Sequence, residues 1–168
     1  MSDGVENSGL SLASIAGLDV SDVAELRSSR LGAGLYTFEV TKAFLEETKV
    51  KDNTEDRIKA VIELKVIEVD TVTEAGFEAK DMEGKTHTES WFINPADAEA
   101  AAKTIGYLKG FVADMGCDNT GIIGGVEGQP QGFLDRTVTH RFKAKIVARK
   151  DRQSGDLRSQ LQFIKKAA

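Results

Sequence analysis

The sequence is poor in the residues that staple, tag or metallate a chain. It holds one cysteine, Cys117, in 168 residues. No internal disulfide can form, which fits a reducing cytosol, and a cytoplasmic protein is expected. Histidine occurs only at His87 and His140, so a zinc site of the usual Cys/His kind has too few ligands. The carboxylates of Glu46, Glu47, Asp52, Glu55 and Asp56 lack the spacing of a metal loop, and no cofactor is expected. No window approaches about 18 uninterrupted apolar residues, which excludes a transmembrane helix. The first residues, Met1-Ser2-Asp3-Gly4-Val5-Glu6, lack the basic start and apolar core of a secretory signal. Aromatics make up only 7% of the chain, so any surface for stacking must come from a short list of side chains.

Net positive charge is also lacking overall: 22 Lys plus Arg stand against 27 Asp plus Glu. The distribution is uneven, however. Residues 136–168 carry ten basic and two acidic side chains, and every earlier segment is acidic. Whole-chain acidity argues against a polybasic protein, yet a confined anion-binding surface remains open to it.

Length fits one domain with an arm. Residues 1–9 have little to bury and are expected to be disordered. Leu10–Leu31 shows weak helical spacing, with Ser21 placed to open a short helix ending near Arg30. Residues 1–31 therefore read as a flexible or docking arm, and residues 32–168 as the domain.

After Gly32-Ala33-Gly34 the period changes to two. Leu35–Glu46 puts Tyr36, Phe38 and Val40 on one face of a strand. Lys49–Asp56 reads as a charged loop. Arg57–Val72 reads as a long strand with Ile58, Ala60, Ile62, Leu64 and Val66 inward, and its length calls for strong curvature or a bulge. Thr86–Ile93 is a third strand. Asn94 then reads as an N-cap with Pro95 at the first helical position. The helix has an apolar stripe of Ala98, Ala101, Ala102, Ile105, Leu108, Val112 and Met115, and it stops at Gly116. The Gly-rich stretch Cys117–Asp135 reads as a connection containing a mobile loop. Arg136–Lys150 and Leu157–Lys166 complete the pattern as a hairpin around residues 151–156.

The fourth strand is the most informative for function. Strict alternation places Arg141, Lys143, Lys145 and Arg149 on one face, and Lys150, Arg152 and Arg158 extend the patch around the hairpin. Such a row suits phosphates spaced along a nucleic-acid strand. The competing reading is a solvated face, because antiparallel strands commonly put Lys and Arg outside. Single-strand binding also needs flat side chains. Trp91 and Phe92 point to opposite sides of their strand, and Trp91 is the candidate stacking surface, set against the commoner fate of an aromatic in the core.

Signals for catalysis are weak. Gly121–Gly128 lacks the Gly-Lys-Ser/Thr ending of a phosphate loop and follows a helix instead of a strand. His87 and Glu89 share a strand face with no nucleophile arranged beside them, so they read as a polar pair. Cys117 reads as a small buried hydrophobe. No enzyme is expected.

Several segments together resemble small tailed-phage proteins encoded near replication or recombination genes. These are Leu35-Tyr36-Thr37-Phe38-Glu39-Val40, the strand around Ile62–Val69, and Gly84-Lys85-Thr86-His87-Thr88-Glu89 before Phe92-Ile93. The helix after Asn94-Pro95 and the closing strand His140-Arg141-Phe142-Lys143-Ala144-Lys145-Ile146 belong to the same pattern. Some of those proteins are single-stranded-DNA-binding proteins of OB-fold type. The resemblance spans roughly residues 30–166 and is one of pattern and order, with no diagnostic motif. It implies an α+β, mostly β fold: a five-stranded OB-like antiparallel barrel with one long helix between strands 3 and 4, whose strand face and loops bind oligonucleotides. Many such proteins end in an acidic tail that recruits replication partners. This chain ends Ile164-Lys165-Lys166-Ala167-Ala168, which leaves the arm, with Asp3, Glu6, Asp19, Asp22 and Glu25, as the acidic segment.

The expectation is sequence-tolerant single-stranded DNA binding in phage replication or recombination. Arg141, Lys143, Lys145, Arg149, Lys150 and Arg158 would meet phosphates and Trp91 would stack on bases. Partners would be single-stranded nucleic acid, further copies of the chain and replication proteins, with no membrane. The alternatives are a virion or assembly component that oligomerises through the arm, and an adaptor that engages a host protein through the acidic body.

Overall fold

The structure, a computed structural model, describes residues 11–23 and 30–164. The polar stretch 1–9, most of the expected Ser21–Arg30 helix and the last four residues fall outside them. Within the arm a single turn of helix, α1 (Leu12–Ala16), is closed by a reciprocal cap between Ser11 and Ser14. Every described residue of the arm from Ser11 to Val23 is exposed.

Alternating apolar residues build the two longest strands, β1 (Gly34–Val50) and β2 (Glu55–Val72), antiparallel from Gly34↔Val72 to Val50↔Glu55. Register shifts at Leu35/Tyr36, Thr37/Phe38 and Val40/Lys42 supply the expected bulges and let the ribbon coil. The expected charged loop shrinks to a four-residue turn. Lys51, Asp52 and Asn53 all adopt left-handed backbone (φ 55, 58 and 66), which reverses the chain tightly, and a Lys49–Asp56 ion pair (3.0 Å) bridges the strands below it.

A short α2 (Ala79–Met82) precedes β3 (Thr86–Ile93), which pairs with β2. The long helix α3 (Ala98–Asp114) starts later than the sequence suggests. Asn94 Oδ1 accepts from the Ala96 amide in a local turn (3.0 Å), and it is Asp97 whose carboxylate caps the helix at Ala100 (3.0 Å). The expected stripe is buried only from Leu108 onward, through Val112 and Met115. Ala98 and Ala102 lie exposed, while Ala101 and Ile105 pack half-buried against the core. Gly116 ends the helix with φ 91, as its sequence position suggests.

The fourth strand also begins later. Residues 133–137 coil into α4 (Phe133–Thr137), burying Phe133, Leu134 and Thr137, so β4 runs only Arg141–Lys150. The Gly-rich segment before it is tied down. Phe133 and Leu134 amides donate to Ile122 and Ile123 carbonyls, Leu45 N–H donates to Gly125 O (2.8 Å), and Asp135 accepts from the Gly125 and Gly132 amides. Gly125 is required there: its φ is +78, and a Cβ would lie 2.9 Å from Leu134 Cδ1 and 3.2 Å from the Leu45 nitrogen. The last strand, β5 (Leu157–Phe163), pairs with β4 as expected.

The result is an α+β, mostly β fold around one five-stranded antiparallel sheet ordered β3-β2-β1-β4-β5. The sheet is open, with β3 and β5 as its edges. Its inner face carries the core foreseen from alternation: Tyr36, Phe38 and Val40 from β1, with Ala60, Ile62, Leu64 and Val66 from β2. Ala144 and Ile146 from β4 join them. Side chains bridge the two edges at both ends. At one end Phe111 of α3 meets Trp91 of β3 and Phe163 of β5 edge-on, each at 4.9 Å between ring centres. At the other, the arm enters the domain through Leu31, fully buried, whose carbonyl accepts from Ser159 Oγ on β5. Arg30 beside it is clamped by Glu74 in a two-pronged ion pair and lies over the Phe77 ring (4.7 Å). A cavity of about 300 Å³ remains between the edges there, walled by Thr86–Thr88 and Leu157–Ser159. No helix among the described residues is long and apolar enough to cross a membrane.

Candidate nucleic-acid interface

Pairing along β4 divides the expected basic patch into two halves. Residues Arg141 to Ile146 lie against β1, whereas Val147 to Lys150 pair with β5 alone and overhang the end of β1 at Gly34. The first half therefore faces the carboxylates of the neighbouring strands. Arg141 sits 3.8 Å from Glu39. Lys143 is 3.0 Å from Asp70, and the hydrogen bond and charge of that carboxylate, with Glu68 adding to them, raise its pKa. Two of the three cations opposite β1 are thus already paired within the sheet, although their side chains stay exposed.

The remaining cations of the strand differ. Lys145, Arg149 and Lys150 are exposed and have no side-chain partner among the described residues. The register sets Lys145 opposite Gln162, Val147 opposite Gln160 and Arg149 opposite Arg158 on one outer face of the hairpin. Two guanidinium groups directly opposite one another repel. Asp151 relieves this: its carboxylate, held ionised chiefly by the Ser154 and Gln153 amides of the turn, lies 2.9 Å from Arg158 Nε. The outer face therefore presents cations and two amides at alternate residues, about 7 Å apart along each strand. Gln160 and Gln162 were not singled out from sequence; their shared parity with Arg158 on an alternating strand is the signal that points to them.

Trp91 does not belong to this face. It points to the inner side of β3, half-buried against Phe111, because odd positions of that strand turn toward the core. Its neighbour Phe92 takes the outer side, 48% exposed, with the Lys59 ammonium 5.7 Å from its ring centre. Phe92 stands at the far edge of the sheet, across β2 and β1 from β4, so the structure does not bring an exposed aromatic onto the basic hairpin. Near Phe92, a groove of about 370 Å³ runs between Glu47–Lys49, Asp56–Ile58 and Pro95.

The weaker chemical signals resolve as packing. His87 Nε2 and Glu89 Oε1 are 2.8 Å apart and half-buried on the inner side of edge strand β3. His140 Nε2 bonds the Met115 carbonyl (2.6 Å) and its ring stacks on Phe142. Cys117 is half-buried at the core margin, where desolvation raises its thiol pKa. Among the described residues no group of three His, Cys, Asp or Glu side chains converges to hold a metal ion. No known family profile matches the chain, and no curated protein does.

Proposed function

We propose that the protein binds single-stranded DNA without sequence preference, as a non-enzymatic component of phage replication or recombination. The observation that carries this reading is that Lys145 and Arg149, without a side-chain partner among the described residues, stand beside Gln160 and Gln162 on the outer face of the β4–β5 hairpin, with exposed Lys150 at the strand's end. Phosphate contacts supply most of the affinity in sequence-tolerant binding, and an extended strand with cations at regular intervals suits an extended polyanion. The acidic remainder of the chain repels nucleic acid elsewhere and confines it to this corner. The strand order, with the one long helix between β3 and β4, is compatible with a partly open OB-like barrel whose β3–β5 seam is filled by Leu31 and Phe111 instead of backbone pairing. In this reading Arg141, Lys143 and Arg158 contribute only by exchanging Glu39, Asp70 and Asp151 for phosphate, and binding rests on phosphate contacts, since Phe92 lies across the sheet from the hairpin.

Titration of a fluorescent poly-dT oligonucleotide tests the proposal. Micromolar or tighter binding at low salt is expected, falling with a steep slope as salt rises. Lys145→Glu with Arg149→Glu should weaken it at least tenfold, while Lys103→Glu on α3 should not. Absence of binding at micromolar protein and low salt would overturn the proposal.

One observation favours the assembly reading: Leu12, Ile15, Leu18, Val20 and Val23 of the arm are all large, apolar and exposed. Light scattering distinguishes it, since an oligomer dispersed by removing residues 1–23 would support assembly through the arm.

A further inference from the structure

The arm and the hairpin have complementary chemistry and a common origin in space. Through residue 26 the arm carries five carboxylates, Asp3, Glu6, Asp19, Asp22 and Glu25, and no Lys or Arg. Opposite in sign stands the hairpin, where Lys145, Arg149 and Lys150 have no side-chain partner among the described residues. The arm joins the domain at Leu31, whose carbonyl is held by Ser159, the residue next to Arg158. Ser159 turns to the inner side of edge strand β5 and Arg158 to the outer, so the arm leaves the domain at this edge and reaches the basic strip by passing around it. Asp22 is eight residues before Arg30, which permits a reach of about 27 Å at full extension. Lys145 lies four residues along β4 from Arg149, about 14 Å away, so every cation of the strip is within range.

The described arm is free to engage. All its residues from Ser11 to Val23 are exposed, and the hydrogen bonds of its side chains are local, such as Asp19 accepting from the amide and hydroxyl of Ser21. Apolar surface is available on both sides, with Val20 and Val23 on the arm and Leu157, 52% exposed, at the base of the hairpin.

We propose that this acidic arm is the hairpin's own ligand: Asp19 and Asp22 fold back onto Lys145, Arg149 and Lys150 of the same molecule and occupy the strip until a polyanion displaces them. Tethering raises the local concentration of these carboxylates toward the millimolar range, so individually weak contacts suffice. The docking stands on charge and connectivity alone; only its competition with DNA rests on the function proposed above.

Zero-length carbodiimide crosslinking of the full chain, mapped by mass spectrometry, tests the docking without nucleic acid. Crosslinks from Asp19 or Asp22 to Lys145 or Lys150 are expected in the monomer fraction. They should disappear at about 1 M salt, where the screening length is about 3 Å. Crosslinks spread evenly over Lys103 and Lys109 as well, or found only in the dimer fraction, would overturn the intramolecular contact. In a second measurement, Asp19→Asn with Asp22→Asn and Glu25→Gln should raise affinity for the poly-dT oligonucleotide by about fivefold or more. Unchanged affinity in a protein that binds the oligonucleotide would refute competition. Loss of oligonucleotide binding in every form, with the crosslinks intact, would instead refute the DNA reading and leave the docked arm standing.

Discussion

Replacing Phe111 by alanine should loosen the protein at the point where its sheet fails to close. Phe111 is the sole ring described between the two edge strands at the Trp91 end, touching Trp91 and Phe163 at 4.9 Å on either side. Removing a buried phenylalanine costs about 3–5 kcal/mol, and each edge-to-face pair adds about 0.5–1.5 kcal/mol to area burial. Phe111 is only partly buried, which places the expected loss near the lower bound, about 3 kcal/mol. Urea unfolding followed by the emission of Trp91, the only tryptophan, reads both consequences at once. With a slope of about 2 kcal/mol/M the midpoint should fall by about 1.5 M, and native emission should shift to the red as water reaches the indole. Tyr107→Ala on the exposed side of the same helix should change stability by no more than about 0.5 kcal/mol. A midpoint shift below about 0.3 M for Phe111→Ala with unchanged emission would refute the idea that this side chain holds the edges together.

Gly125→Ala should destabilise by about 2 kcal/mol or more, since it combines left-handed backbone with contacts to Leu134 and β1 that have no slack; a thermal melt checks it. Thr139, a β-branched residue at φ 77, should gain about 1 kcal/mol on replacement by glycine, measured by urea unfolding. Acid should destabilise the protein through Asp135 and Glu74. Hydrogen bonds from Gly132 and Gly125 lower the first, and the bond from Arg30 lowers the second. Because both folded pKa values lie below the unfolded ones, near 3.9 and 4.3, their stabilisation is complete above about pH 5 and is lost as pH falls through the folded values. Asp135→Asn with Glu74→Gln should flatten stability against pH below about pH 5, and an unchanged acid limb would contradict these assignments.

Much of the sheet could be read from alternation because burial on one face imposes it. Ala60 to Val66 and Tyr36 to Val40 fall inside at the alternate positions their spacing demands, with Ile58 half-buried at the margin, and β3 spans Thr86–Ile93 as expected. Boundaries failed where a local hydrogen bond outcompeted a good signal. Asn94 is a strong N-cap residue, but its side chain closes a turn on Ala96 and leaves the helix to Asp97. Residues 136–140 alternate plausibly, yet Phe133 and Leu134 draw the chain into a helical turn to bury themselves. The basic row was legible as a row. Its division into paired and unpaired halves was not, because Glu39 and Asp70 reach it only through the pairing of β4 with β1 and the coil of β2. For Trp91 and Phe92, sequence established that they oppose one another and left open which faces inward; the placement of Phe111 decides it.

The pairing of β1 with β4 also constrains how the chain reaches this state. Gly34 and Ile146 are partners across more than a hundred intervening residues, whereas β1 with β2 and β4 with β5 are joined by short turns. The two hairpins can form early and locally, but the sheet that unites them must wait for the slow closure of a long loop. Until then the inner faces of both hairpins and the ring of Phe142 stand in water, which makes a half-made chain on the ribosome the most aggregation-prone form of this protein. Folding rate should thus respond far more to changes at the β1–β4 contact than native stability alone would indicate.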